Sequence, residues 1–191
     1  MADRPLAKTA PPLTLQEHTE DVVAEAECIL ARLRYHVKYR RLTGADLRER
    51  LLRAAVHHDR GKAHDRWQRC AREGRLREVG LRHELASLRY LDEKDIPLTD
   101  PSRVAIGAHH NKLSWSHEER WTTGGQGYDD HTSYWQAMRR RQRQGRHEDL
   151  SALVQRRYEH DGVRGLLQLA DPRASQIEDP NSPHPLPPRP V

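Results

Sequence analysis

Between Leu15 and about Val37 the apolar residues keep the period of a helix: Leu15, Val22, Val23, Ala26, Ile29, Leu30 and Leu33 share one stripe, and His18 lies on it. Thr14-x-x-Glu17 supplies a capping box at its start. Thr43-Gly44 interrupts the pattern, and Leu47, Leu51, Leu52, Ala55 and Val56 resume it over residues 45–58, so His58 and Asp59 fall at or just past a buried helix end. Further helices are predicted from Lys62 to about Glu73 and from His83 to about Asp92, with Gly74 to Arg82 as a loop between them. Asp100-Pro101 then gives an N-cap followed by proline at the first helical position, and Val104, Ala105, Ile106 and Ala108 lead to His109 and His110. A last helical region opens at His147. It carries Leu150, Leu153, Val154, Tyr158, Val163, Leu166, Leu167, Leu169 and Ala170, and it brings in Asp171 late, with a bend expected at Gly162 or Gly165.

No segment alternates like a strand over a useful length and no repeat is evident, so the pattern predicts an all-α fold. Residues 1–13, with Pro5, Pro11 and Pro12, read as an irregular lead-in to one domain over residues 14–175. Residues 112–131 have too little periodicity for an element and read as a loop or lid. The Gly124-Gly125-Gln126-Gly127 run there has no strand before it and no Gly-Lys-Ser/Thr pattern, which argues against a phosphate loop. Tyr134 to Gln144 reads as a short helix. The tail, residues 176–191, holds six of the twelve prolines and little to bury, and is expected to be mobile or a linker.

Composition changes this picture in three ways. Only 35% of the 191 residues are hydrophobic and 32% are charged, yet the charges nearly balance at +5, which with the helical patterning favours a folded chain over a disordered one. No apolar run is long enough to span a membrane, no secretory signal is visible, and two cysteines, Cys28 and Cys70, support neither a disulfide framework nor a thiolate metal site; a reducing cytoplasm is the expectation. The basic surplus suits a polyanion, and the run Arg139, Arg140, Arg141, Arg143 could line a nucleic-acid groove or form a solvated face.

The sharpest compositional clue is chemical: 13 histidines stand beside no phenylalanine. His18, His58, Asp59, His83, His109, His110 and Asp171 each fall at the buried face or end of a predicted helix, which is how helix bundles assemble metal sites. Any one of these histidines alone is as readily a hydrogen-bonded core residue. Together, seven nitrogen and oxygen donors exceed the needs of one ion and suit two with a bridging carboxylate. Such a nitrogen-rich set favours divalent Mn, Fe, Co or Ni, with Mg or Zn less well served. Two divalent ions against two carboxylates leave the centre at about +2, which attracts an anionic substrate such as a phosphoester. Lys62 could steady a phosphate oxygen or be an ordinary exposed lysine.

The motifs Leu15-Gln16-Glu17-His18-Thr19, His58-Asp59-Arg60-Gly61-Lys62, Arg82-His83-Glu84, Ala108-His109-His110-Asn111-Lys112 and Leu169-Ala170-Asp171-Pro172-Arg173-Ala174-Ser175 resemble, in order, those of the CRISPR-associated HD nuclease, the DNA-cutting domain of the type I effector nuclease-helicase. The resemblance implies an HD-domain helical bundle with a central two-metal site that hydrolyses single-stranded DNA. It further implies catalytic roles for Asp59 and Lys62, and as partners a helicase and an RNA-guided surveillance complex. It implies that His18, His58, Asp59 and Asp171 hold one metal and Asp59, His83, His109 and His110 the other. Of the doublet His57-His58, the second is the ligand expected. Pro172 stands where the family usually has Trp, and it predicts that Asp171 leaves the α region. Two other readings of the same residues are an HD phosphohydrolase acting on nucleotides or cyclic nucleotides, and a non-catalytic module that keeps its histidines for a structural metal or a partner.

Overall fold

The computed structural model describes residues 4–110, 150–179 and 181–182. Within them the order is β1 (Leu6–Thr9), β2 (Pro12–Thr14), α1 (Leu15–Leu33), α2 (Tyr35–Thr43), α3 (Leu47–His57), a 3-10 turn (Arg60–Ala63), α4 (Asp65–Arg72), a second 3-10 turn (Leu76–Glu78), α5 (His83–Glu93), α6 (Asp100–Gly107) and α7 (Leu150–Glu178). The expected loop or lid at 112–131, the helix at 134–144, the arginines 139, 140, 141 and 143, and the tail from 183 lie outside the described residues. Among the described residues no helix is long and apolar enough to cross a membrane.

The fold is a helical bundle with one small two-stranded hairpin at its start. Helix α1 starts on the capping box, with the Glu17 amide donating to Thr14 Oγ1 (3.2 Å) and the Thr14 amide to Glu17 Oε2 (2.9 Å). Its stripe, Val22, Ala26, Ile29 and Leu30, packs with Leu47, Leu51, Ala54 and Ala55 of α3, Val104, Ala105 and Ile106 of α6, and Val163, Leu166, Leu167, Ala170 and Ala174 of α7. Leu85, Leu88 and Leu91 of α5 join the same core. Asp46 caps α3 by accepting from the Arg48 and Glu49 amides.

Several local expectations change. The lead-in contains a small antiparallel hairpin, with Leu6 opposite Thr14 and Thr9 opposite Pro12. Strands of four and three residues are too short to show alternation, and the hairpin is held from outside: the Leu6 amide donates to Gln68 Oε1 (2.9 Å), while Gln68 Nε2 donates to the Leu6 and Lys62 carbonyls (2.9 and 2.7 Å). Leu6 also covers a second apolar cluster of Trp67, Ala71, Leu81 and Ala86.

The first helix stops at Leu33, not near Val37, because Arg34 turns left-handed (φ 44°). That redirects the chain into α2, where fully buried Tyr39 donates to the Glu159 carbonyl (3.0 Å) and accepts from Arg50 (2.9 Å). Val37, the supposed end of the stripe, is 55% exposed.

Pro172 does not take Asp171 out of the helix: α7 runs unbroken through Pro172, Gly162 and Gly165 to Glu178. An interior proline costs about 3 kcal/mol. Here Val163, Leu166, Leu167 and Ala170 before it and Ala174 after it are all buried in the core, and Arg173 donates to the buried carboxylate of Glu25 on α1 (2.8 Å), so both sides of the proline are pinned to the same wall. The helix also claims the first residues of the expected tail.

Gly61 is needed for close approach and not for a left-handed turn. A Cβ there would stand 2.0 Å from the His83 carbonyl oxygen and 2.7 Å from the Ser87 nitrogen, both backbone atoms of α5. The Gly61 amide donates to Ser87 Oγ (2.8 Å), and that hydroxyl lies 2.8 Å from both the His58 and the His83 carbonyls. Gly61→Ala is therefore expected to cost about 3 kcal/mol in urea unfolding through overpacking; an unchanged midpoint would show that α5 yields freely.

Candidate metal centre

Five separate elements deliver the site. His18 comes from the first turns of α1, His58 and Asp59 from the end of α3, His83 from the first residue of α5, His109 and His110 from the two residues beyond the end cap of α6, and Asp171 from the interior of α7. These are the helix ends and buried faces that the apolar periodicity marked.

Asp59 is at the centre. Its Oδ2 lies 3.3 Å from His18 Nε2 and 3.4 Å from His58 Nε2, and its Oδ1 lies 3.2 Å from His83 Nε2 and 3.6 Å from His109 Nε2. Each oxygen thus faces its own pair of imidazoles. Asp171 Oδ1 is 3.4 Å from His18 Nε2, and its Oδ2 is 3.9 Å from His110 Nδ1. The donors sort into two groups, Asp59 with His83, His109 and His110, and His18 with His58 and Asp171, in each of which one atom per residue lies within 4.8 Å of the others. His57 stays outside the cluster, half-buried.

The imidazoles are oriented from behind. His58 Nδ1 donates to the Ala55 carbonyl (2.7 Å), His109 Nδ1 to the Ile106 carbonyl (2.6 Å), and His18 Nδ1 to Glu178 Oε1 (2.7 Å). With the ring proton used outward, the Nε2 lone pair points inward, the arrangement of metal-bound histidine. Nε2 of His18, His58, His83 and His109 and both oxygens of Asp59 are buried without a well-aligned hydrogen bond among the described residues. A buried polar atom left this way costs about 1–3 kcal/mol. Six such atoms converging on one small volume fit divalent cations, and nitrogen with carboxylate oxygen is a donor set for transition metals.

Electrostatics agree for most of the set. Burial pushes His58 down to about 4 and His110 likewise to about 4, the latter helped by its His109 and His83 neighbours, so both rings are neutral near pH 7. Burial alone would raise Asp59, but Lys62, His58, His109 and His18 hold it well below the usual carboxylate range. Burial also lowers His18, yet the nearby carboxylates of Asp171, Asp59 and Glu178 prevail and raise it to about 10. Without a metal ion, a proton on His18 compensates the carboxylates; a cation would displace it. Lys62 Nζ, 2.6 Å from Asp59 Oδ2 and 5.8 Å from the centroid of the Trp67 ring, sits at the edge of the cluster.

Two supporting residues were not evident in the sequence: Ser87, which with Gly61 fixes the turn that carries Asp59, and Glu178, which orients His18. Glu178 was hidden in the supposed tail, although its position seven residues beyond Asp171, two turns along one helix face, is a usable signal once the helix is extended.

An all-α bundle that gathers a His-Asp dipeptide with histidines and an aspartate from four other elements is an HD domain. The family model described as "Cas3, HD domain" matches residues 3–178, and the chain belongs to that family. Membership implies a CRISPR-associated HD nuclease, a hydrolytic enzyme whose domain type binds divalent metals. No curated protein and no solved structure matches the chain.

The raised His18 has a measurable consequence. Its folded-state value, about 10, exceeds the ordinary 6.5, so its contribution to stability is fully present below about pH 6.5 and is lost as pH rises towards 10. In chelator, the urea midpoint should decline across that range, and less steeply in His18→Gln. Equal slopes in the two proteins would contradict a charged His18.

Proposed function

We propose that this domain is a metal-dependent nuclease that hydrolyses phosphodiester bonds of single-stranded DNA in CRISPR interference. Its strand would be supplied by a helicase, on another polypeptide or elsewhere in the same protein, working with an RNA-guided surveillance complex in the cytoplasm. The observation that carries the reading is Asp59, whose two oxygens face different imidazole pairs at 3.2–3.6 Å.

His18, His58, Asp59 and Asp171 would hold one divalent ion and Asp59, His83, His109 and His110 the other, with Mn, Fe, Co or Ni best suited to the donors. Ions paired in this way lower the pKa of a water and stabilise the entering and leaving oxygens of a phosphoester displacement. The chain's own residues divide the remaining work. Asp59 fixes the spacing of the two halves. The backbone carbonyls of Ala55 and Ile106 keep His58 and His109 from rotating. His18 and His58 are closed off, whereas the side chain of His110 is 41% exposed, so substrate would approach on the His83–His110 side.

Lys62 now pairs with Asp59. With metal held at the site that attraction would weaken, and the ammonium, on a side chain only 13% exposed, would be free to meet a non-bridging phosphate oxygen. Arg139, Arg140, Arg141 and Arg143 would add sequence-independent contacts to the DNA backbone.

The test is incubation with Mn, Co, Ni or Fe(II) and labelled single-stranded DNA, duplex DNA and a nucleotide panel. Cleavage of single strands is expected, abolished by chelator and by Asp59→Ala. Hydrolysis of free nucleotides without DNA cleavage would overturn the reading in favour of a nucleotide phosphohydrolase, and metal binding without any turnover would favour a non-catalytic module. Lys62→Met should lower kcat about 10²-fold while leaving metal affinity equal or higher, because it removes a cation from beside the metal ligands. Weaker metal binding in that variant would contradict the role given to Lys62.

A further inference from the structure

The two ends of the described chain meet behind His18. Glu178, in the last turn of α7, places Oε1 2.7 Å from His18 Nδ1, and its other oxygen, Oε2, lies 2.5 Å from Nζ of Lys8 on β1. The Glu178 side chain is 4% exposed and that of His18 1%, so water does not substitute for either partner. Lys8 is not free to drift. The Leu15 amide donates to the Pro5 carbonyl (2.7 Å) and Gln68 grips both backbone groups of Leu6, which fixes β1 against the start of α1 and against α4.

We infer that Glu178 is a positioning residue for His18, and that Lys8 selects which face of the Glu178 head group the imidazole meets. This rests on reading His18 as a metal ligand. A ring that gives its Nε2 lone pair to a metal keeps one proton, on Nδ1, and needs an acceptor there. Glu178 offers only acceptors, so the ammonium and the imidazole N–H are both satisfied.

The isosteric Glu178→Gln distinguishes this from simple packing. An amide has one oxygen and one NH₂. Lys8 can only donate, so it takes the oxygen and turns the NH₂ to His18, where two donors then oppose each other in the metal-bound state. Adding Lys8→Met releases the amide to flip, and its oxygen can again accept from Nδ1. Removing a second partner thus repairs what removing the first has broken.

Mn²⁺ alone is the probe, titrated by electron paramagnetic resonance of the free ion, with thermal unfolding in chelator as a check on folding. Glu178→Gln should weaken the affected site about 10- to 100-fold. The double variant Lys8→Met, Glu178→Gln should recover most of that loss. Wild-type affinity in Glu178→Gln, or a double variant no tighter than the single one, would overturn the relay alone. Failure of the wild-type protein to bind Mn²⁺ would overturn the metal reading and the relay with it.

Discussion

A carboxylate held at 2% exposure, ringed by four imidazole nitrogens that find no hydrogen-bond partner among the described residues, is the condition on which the rest of this fold depends. Burying Asp59 as an anion is costly unless cations or donors surround it. Surrounding it takes side chains from five elements, so the helices must end or pass at one place. Gly61 without a side chain and Ser87 clasping two carbonyls are both parts of that packing.

The same condition explains how the histidines are held. A buried ring in contact with a carboxylate would by default point its proton at the carboxylate. Here His58 and His109 each spend the Nδ1 proton on a carbonyl three residues earlier, in the turn that ends their own helix. Those carbonyls are among the ones a helix end leaves without intrahelical donors. Helix termination and ligand orientation are therefore one hydrogen bond serving two needs, which gives a physical reason for the ligands to cluster at helix ends. His18, in the second turn of α1, lies too early in its helix to find such a carbonyl, and a side chain from α7 takes its place.

How much of this could be read in the sequence depended on the range of the forces involved. Local effects were legible: the Thr14–Glu17 box, the break at Gly44, the stripe carrying His18, the proline at the start of α6. Adjacent His58 and Asp59 beside Gly61 pointed to the centre, and the apolar period placed the other candidate ligands on its wall. Interactions closed over long separations were not legible. The hairpin exists because Gln68, 62 residues away, pairs with Leu6. Pro172 was read by its local effect, which disfavours the α region for Asp171, whereas the buried apolar residues on either side of it, set by distant partners in the core, keep the helix continuous. The run of prolines beyond Glu178 drew the tail boundary too early and concealed a residue that touches His18.

That last helix shows why continuity through Pro172 matters. Asp171 and Glu178 address opposite nitrogens of one imidazole, yet their backbones are seven residues, about 10.5 Å, apart along the axis. Two turns bring them to nearly the same face, and helix side chains lean towards the N-terminus, so the longer Glu178 reaches back while the shorter Asp171 stays close to its own turn. A kink at Pro172 would fall between the two and swing one away from the ring. The core contacts of Ala170 and Ala174 and the Arg173–Glu25 pair hold the intervening turn in the helix, and they do so beside the residues whose separation must be kept. The stability of α7 is in this sense part of the site: what keeps a proline helical also keeps His18 between its two carboxylates.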